Sequence, residues 1–367
     1  MVVERITLLN GPRFHVFVHQ SESFEVSHVN VTVDRSYQRR LKAGLRAARV
    51  AALTTAGVLS AAELAGMVLQ PEDLNTDGID VSGVGGWVHD CAVLNDDDSV
   101  SVKPSKVSDV VGADGRRSNC SENILVERTT MAGFGASVGA VAPKSTLNRA
   151  CVRNVTFRDI HMPRTGKGIY IKSNPGCDDG GDGSRNGNHG AGSSDDDGAG
   201  RGGKIGLIED VVYENVRIDR PSWWAIWIGP QQQHEPGSDL GDLCSLAFPW
   251  VAHCPVPACV TVRRVVLRNV TITTPLLSPG VVLGSEFNPV QGLEFDSVVV
   301  VRDGGGDSGG GGGGDGGGGG EKPFGFQYLC ENADATSSAS TPRLRCGDAR
   351  RHTSSTAAAA ASPSLQL

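Results

Sequence analysis

The sequence predicts an all-β fold, a single-stranded right-handed parallel β-helix carrying long Gly-rich loop insertions. Short alternating strands rich in Val and Ile recur along most of the chain, with polar turns of Asn, Asp or Gly between them. Corresponding strands recur at spacings of about twenty to fifty residues, the range of solenoid repeats. Two-residue hairpin turns are nearly absent, which argues against a β-sandwich or a propeller.

Taken in order, the chain opens on a strand, Arg5-Ile6-Thr7-Leu8-Leu9. Residues 36–69 break the pattern: they are rich in Ala, Arg and Leu and read as a helical insertion or a mispredicted exon, most clearly from Arg40 to Leu53. From there one strand type repeats as Gly86–Asp90, Asn123–Glu127, Arg153–Phe157, Asp210–Glu214, Arg264–Arg268 and Gly292–Asp296. A second type follows each of the first five: Ser99–Val102, Ala136–Gly139, Gly168–Ile171, Ala225–Ile228 and Gly280–Leu283. Alternation in Ala225–Ile228 puts Ile226 and Ile228 in the core and turns Trp227 outward. Residues 176–203 mix Gly with Asp, Ser and Asn, and 304–320 are nearly pure Gly. Neither tract can bury enough apolar surface to offset chain entropy, so both read as disordered loops. The expected layout is a catalytic β-helix domain over 1–302 and a Gly-rich, low-complexity tail over 303–367, with a last coil segment near 321–330.

Composition narrows the class of function. The 367 residues carry a formal net charge of -7, which argues against nucleic acid as a partner. No stretch is long and apolar enough to span a membrane. The spacing Cys244…Cys254…Cys259 holds no Cys-x-x-Cys pair, so no metal site is expected. The nine Cys point instead to disulfides, with at least one thiol left over, and so to an oxidising compartment. Sequons at Asn30, Asn119, Asn154 and Asn269 fit secretion, although Asn-Val-Thr also arises at strand starts. The chain shows no signal peptide, and truncation of an extracellular or cell-wall protein is the expectation. The protein is expected to be a monomer that needs no cofactor.

The chemistry concentrates in two places. Asn75-Thr76-Asp77-Gly78 precedes one β-rich segment, and Asp96-Asp97-Asp98 precedes another about twenty residues later. Grouped carboxylates repel one another, so a chain that gathers them where strands turn has a use for them. On adjacent coils, about 4.8 Å apart, Asp77 would stack with Asp97 and Asp98. Like-charge repulsion raises the pKa of one of them, which supplies an acid and a base for cleaving a glycosidic bond. An inverting reaction needs roughly 6.5–9.5 Å between the two, leaving room for water. Asp96 extends the run and is expected to be solvated. His89 and His161, beside strands, are expected to be structural.

These segments resemble the polygalacturonase family, family 28 of the glycoside hydrolases, over roughly residues 8–301. Leu9-Asn10-Gly11-Pro12-Arg13-Phe14 is similar to its Asn-Ser-Pro-x-Phe strand. Asn75-Thr76-Asp77 matches its Asn-Thr-Asp motif, and Asp97-Asp98 matches its Asp-Asp motif at the required separation. Two motifs depart: Gly133-Phe134-Gly135 stands where the family shows Gly-His-Gly, and Tyr170-Ile171-Lys172 where it shows Arg-Ile-Lys. The resemblance implies a pectin-lyase-like solenoid and an O-glycosyl hydrolase acting on a pectin-like, galacturonan-type polysaccharide of the cell wall. It implies Asp97 as general acid and Asp77 and Asp98 as the groups that activate water. Asn75, Lys172, Tyr170 and Phe134 would contact substrate. Phe134 cannot transfer a proton, and Tyr170 cannot make the bidentate pair that Arg makes with a carboxylate. Two alternatives follow: a catalytically inactive carbohydrate-binding β-helix, or a β-helix lyase. Lyase chemistry would need a basic residue, and Lys172 is the only obvious cation.

Overall fold

The computed structural model of the protein describes residues 1–34, 75–104, 117–141, 148–174, 206–231, 248, 254, 256–302 and 325–347. The expected helical insertion (36–69) and Gly-rich loop (176–203) lie outside the described residues. In chain order the strands are β1 (Val2–Glu4), β2 (Thr7–Leu9), β3 (Val16–Ser27), β4 (Asn30–Thr32), β5 (Ile79–His89), β6 (Ala92–Leu94), β7 (Val100–Val102), β8 (Arg117–Ala132), β9 (Ala136–Val141), β10 (Asn148–Pro163), β11 (Ile169–Ser173), β12 (Gly206–Asp219), β13 (Ile226–Pro230), β14 (Val260–Thr273), β15 (Gly280–Leu283), β16 (Val290–Val301), β17 (Leu329–Glu331) and β18 (Ala333–Ser338). All the paired strands run parallel. The architecture is the parallel β-helix that the repeats predict, and both predicted strand types fall in these strands. Within 303–367 the described residues are 325–347, which carry β17 and β18.

Each coil contributes one long, bent strand and one short one. The long strands bend where a residue adopts positive φ, and these bends stack from coil to coil. One set is Asn123 (58°), Asn154 (49°), Asp210 (55°), Arg264 (54°) and Gly292 (59°); the next corner uses Arg128, Asp159, Asn215, Asn269 and Ser297. Asn, Asp and Gly bear this conformation at least cost, which explains Asn123, Asp210 and Gly292 at the head of their predicted strands and Asn154 one residue into its own. The stacked side chains then pair: Asn154 Nδ2 donates to Asn123 Oδ1 (2.6 Å), and Asn269 Nδ2 to Asn215 Oδ1 (2.8 Å). Two of the sequon asparagines therefore serve as rungs of a corner ladder.

Between the bends, alternation sends every second side chain into the core. Val26, Val88, Val126, Phe157, Tyr213, Leu267 and Phe295 follow one another in register and are all buried. Phe157 and Tyr213 stack face to face, with centroids 4.9 Å apart, matching the distance between coils. Phe157→Ala should cost about 3–5 kcal/mol in chemical denaturation, and a cost below about 1 kcal/mol would contradict this packing. On the outer surface His89, Glu127, Arg158, Glu214, Arg268 and Asp296 form a ladder, its charges alternating from Glu127 onward. Arg158 pairs with Glu127, and Arg268 lies 3.6 Å from Glu214 and 3.5 Å from Asp296. A one-residue slip would break the core row and this ladder together, so register is doubly specified.

Disulfides join Cys120 to Cys151 and Cys330 to Cys346, and Cys254 and Cys259 are also disulfide-bonded. Cys120 and Cys151 are register partners on neighbouring coils, so the first bridge staples β8 to β10. Cys91 is a buried free thiol.

Candidate active site

One face of the solenoid is built from short strands: the starts of β3 and β5, then β7, β9, β11, β13, β15 and β17. Ile79, Val100, Ala136, Ile169 and Ile226 are register partners there. Two residues before each lie Asp77, Asp98, Phe134, Lys167 and Trp224, one row of side chains in the preceding turns. One residue after each lie Asp80, Ser101, Ser137, Tyr170 and Trp227, a second row. The carboxylates that stand twenty-one positions apart in sequence thus become vertical neighbours, tied by Gly78 N–H donating to Asp98 O (2.8 Å).

Asn95 holds the acidic turn together. Its Nδ2 lies within hydrogen-bond distance of the carbonyls of Thr76 (2.8 Å), Asp97 (3.0 Å) and Asp98 (2.9 Å), and Ser99 Oγ donates to its Oδ1 (2.9 Å). Gly133 packs directly on this turn; a Cβ there would lie 2.3 Å from Asn95 Oδ1 and 2.4 Å from Asp97 O. Gly135 has φ of +53° and lies against the Gly168 carbonyl. Both glycines of the Gly-x-Gly motif are therefore demanded by the backbone, whatever side chain stands between them. His15 accepts the Gly11 N–H at Nε2 (3.1 Å), so its Nδ1 carries the proton that reaches Asp77 O (2.8 Å).

The three expected acids occupy different environments. Asp97 is 3% exposed and accepts the N–H groups of Asn75 (2.6 Å) and Asp98 (2.8 Å). Burial, then the charges of Asp77 and Asp98, raise its pKa to about 7 despite Lys172 and the Asn75 N–H. Asp98 is fully buried, and burial alone would push its carboxyl up. Lys172 Nζ at 2.6 Å, Lys103 Nζ at 3.7 Å and Ser137 Oγ at 2.9 Å overcome that and hold it below the usual carboxylate value. Asp77 is raised, chiefly by burial, and Lys103 Nζ at 2.9 Å works against the shift. The site therefore separates a proton-holding Asp97 from a lysine-clamped Asp98, the division of labour that acid/base catalysis needs.

Several site residues lay outside the sequence reading. Lys172 is not the only cation: Lys103 Nζ lies 2.9 Å from both Asp77 and Asp80. Burial opposes its charge, but Asp80, Asp77 and Asp98 together push its pKa well above the ordinary lysine value. Asp80 is fully buried and raised well above the usual range, first by burial and then by Asp77. Lys103 is near enough to Asp80 for an ion pair but is poorly aligned for a hydrogen bond to either Asp80 oxygen. Alternation offered a signal for both, since Asp80 and Lys103 point to the same side as Ser101. Asp77, Asp80 and Asp98 present oxygens within 4.8 Å of one another, a spacing suited to a cation. The Lys103 ammonium lies among them. Asp96, expected to be solvated, is 2% exposed, and its N–H donates to Thr76 Oγ1 (3.0 Å).

Phe134 and Tyr170 meet edge to face with centroids 6.0 Å apart, both fully buried. They belong to a second apolar cluster with Trp223, Trp224 and Trp227, separate from the strand core that takes Ile226 and Ile228. Trp227 does leave the strand core, as alternation predicts, but it is buried in this cluster. Lys167 lies among these rings, 4.6 Å from Phe134, 4.3 Å from Tyr170 and 5.8 Å from Trp227. Burial, with Lys172 adding to it, lowers the Lys167 pKa well below its usual value. Asn75 is exposed beside the acids at φ of 75°. His89 is buried between Glu25 and Asp90, and His161 lies against Asp219; both sit in side-chain hydrogen bonds along the outward face of the long strands.

The chain resembles a hyperthermoactive exopolygalacturonase from Thermotoga maritima at 14% identity and a TM-score of 0.49, over 92% of this chain and 52% of that one. It resembles an endo-xylogalacturonan hydrolase from Aspergillus tubingensis at 16% identity and a TM-score of 0.44, over 95% and 59%. A polygalacturonase from Erwinia carotovora ssp. carotovora gives 16% identity and a TM-score of 0.43, over 91% and 57%. The chain thus spans between 52% and 59% of the length of these three proteins. No curated protein matches it. Residues 1–181 match the model of glycosyl hydrolases family 28. That match takes in Asn75, Asp77, Asp97, Asp98, Phe134, Tyr170 and Lys172, and residues 1–181 belong to glycosyl hydrolases family 28.

Proposed function

We propose that the protein hydrolyses the glycosidic bonds of a pectin-like, galacturonan-type polysaccharide by inverting acid/base catalysis. The observation that carries this reading is the contrast between two adjacent carboxyls, Asp97 holding a proton up to about 7 and Asp98 held ionised by Lys172. Asp97 gives its proton to the leaving glycosidic oxygen. Water attacks the anomeric carbon from the opposite face and passes its proton to Asp77 or Asp98. The C–O bond breaks, and the product anomer is inverted. Asn75 and Lys172 contact the sugar at the mouth of this group; Phe134 and Tyr170 shape the neighbouring site from beneath as an apolar wall. The reading places catalysis in the β-helix of residues 1–302, acting outside the cell as a monomer. Bridges such as Cys120–Cys151 suit an oxidising compartment.

The test is incubation of the protein with homogalacturonan, rhamnogalacturonan and xylogalacturonan, following reducing ends and product anomers by NMR. Inverted products from at least one polymer are expected; retained anomers, or no reducing ends from any, would sink the proposal. Unsaturated products absorbing in the ultraviolet would instead select lyase chemistry.

The protonation states also set a pH profile. Turnover should fall as pH rises through about 7, where Asp97 loses its proton. With Asp98 as the base the acidic limb should lie below the ordinary carboxylate range, whereas a limb above that range would assign the role to Asp77. An alkaline limb far above neutrality would show that Asp97 is not the acid.

A further inference from the structure

Beyond the acid/base group, the first described coil carries an aromatic surface that the catalytic chemistry does not use. Phe14 and Phe17 are 50% and 49% exposed, with centroids 6.5 Å apart. His19 continues the surface, its ring stacked on Phe17 at 5.2 Å and 15° and its Nδ1 3.2 Å from Ser82 Oγ. Two large rings side by side, each with half its surface left in water, form an exposed apolar patch of the kind that marks a ligand surface. Their place in the fold says which. Phe17 is the register partner of Asp80 and heads the outward row that continues through Ser101, Ser137 and Tyr170. The Phe14 ring lies 5.4 Å from Lys103 Nζ, the same ammonium that pairs with Asp77. The platform is thus continuous with the carboxylate group and lies toward the amino-terminal end of the helix axis. Other exposed aromatics lack this. Trp87 is already stacked on His89 at 3.7 Å and donates to Glu127, and Phe287 has no ring neighbour among the described contacts.

We infer that Phe14, Phe17 and His19 form a sugar-stacking subsite that binds a pyranose ring of the polysaccharide upstream of the bond being cleaved. This rests on the proposed glycan substrate. Aromatic faces match the C–H face of a pyranose, because the ring buries apolar area there while its hydroxyls stay in water. Coil spacing puts Phe17 roughly two coils, about 10 Å, from the Asp98 row, close to the span of two linked sugars. The subsite therefore contributes only when the glycan extends past the cleavage point. It makes the protein prefer longer chains without taking part in the bond-breaking step.

The experiment compares wild-type, Phe17→Ala, Phe14→Ala/Phe17→Ala and Phe17→Trp on oligogalacturonates from trimer to octamer. The alanine variants should raise KM for the octamer about tenfold, with a smaller effect on the trimer and little change in kcat, and Phe17→Trp should restore the octamer KM. Octamer binding to Asp97→Asn protein, with and without Phe17→Ala, is measured in parallel by calorimetry. Hydrolysis whose KM does not respond to Phe17, or responds equally at every length, overturns the subsite and leaves the hydrolase reading standing. Phe17-dependent binding without hydrolysis by the wild type overturns the hydrolase reading and keeps the subsite. Absence of both binding and hydrolysis overturns the two together.

Discussion

Asp97→Asn should lower kcat by about 10²–10⁴-fold while the β-helix stays folded. Asn keeps the volume and one accepting oxygen, so it can hold the Asn75 or the Asp98 N–H but not both, and it has no acidic proton to give the leaving oxygen. Activity within a few-fold of wild type would remove Asp97 from the acid role. The same variant tests the electrostatics by a second route. Folding raises the Asp97 pKa from 3.8 to about 7, chiefly through burial, so the native site favours the protonated carboxyl. Its contribution to stability is fully present below about pH 4 and is lost as pH rises through 7. Asn carries no such penalty. Relative to wild type, Asp97→Asn should therefore gain stability as pH is raised across that window. Melting temperatures that separate in the opposite direction would show that Asp97 is ionised in the native protein at neutral pH.

Lys103→Met should destabilise the protein by about 3–5 kcal/mol, the range for a buried ion pair that loses one partner. Lys103 is the cation shared by Asp77 and Asp80, and Asp80 is fully buried. Removing it leaves the buried Asp80 without the cation that faces it and leaves Asp77 with Lys172 alone. Lys103→Met/Asp80→Asn should recover part of the loss, because one of those carboxyls is gone too. Urea denaturation of the single and double variants measures both effects, and a single variant within about 0.5 kcal/mol of wild type would refute the shared-cation role.

The β-helix was legible because its physics is local and repeated. Alternation fixes which side chains enter the core, and Asn, Asp or Gly at most corners marks where the strand bends. Asn123, Asn154, Asp210 and Gly292 show both in the primary structure. The acidic pair was legible for a similar reason. One coil separates Asp77 from Asp98, so their spacing along the chain already implies contact across coils. Lys103, Asp80, Asn95 and Lys167 were harder to see. Each takes its role from a contact between coils or from burial: Asn95 reaches the Thr76 carbonyl, Lys103 pairs with Asp77 and Asp80, and Lys167 is enclosed by rings of neighbouring coils.

By itself the sequence determined the solenoid, the face on which the short strands lie and the identity of the three candidate acids. Periodicity and turn chemistry act between residues close in the chain, and coil stacking repeats them at a fixed rise. Only the tertiary structure decided the charge states. A carboxyl's pKa depends on how much water is excluded and which ammonium lies within a few ångströms, and both are set by other coils. It also decided that Phe134 and Tyr170 are buried around Lys167, while Phe14 and Phe17 remain open to a ligand. All four are aromatic residues in similar local contexts, and only the packing of neighbouring coils distinguishes a wall from a platform.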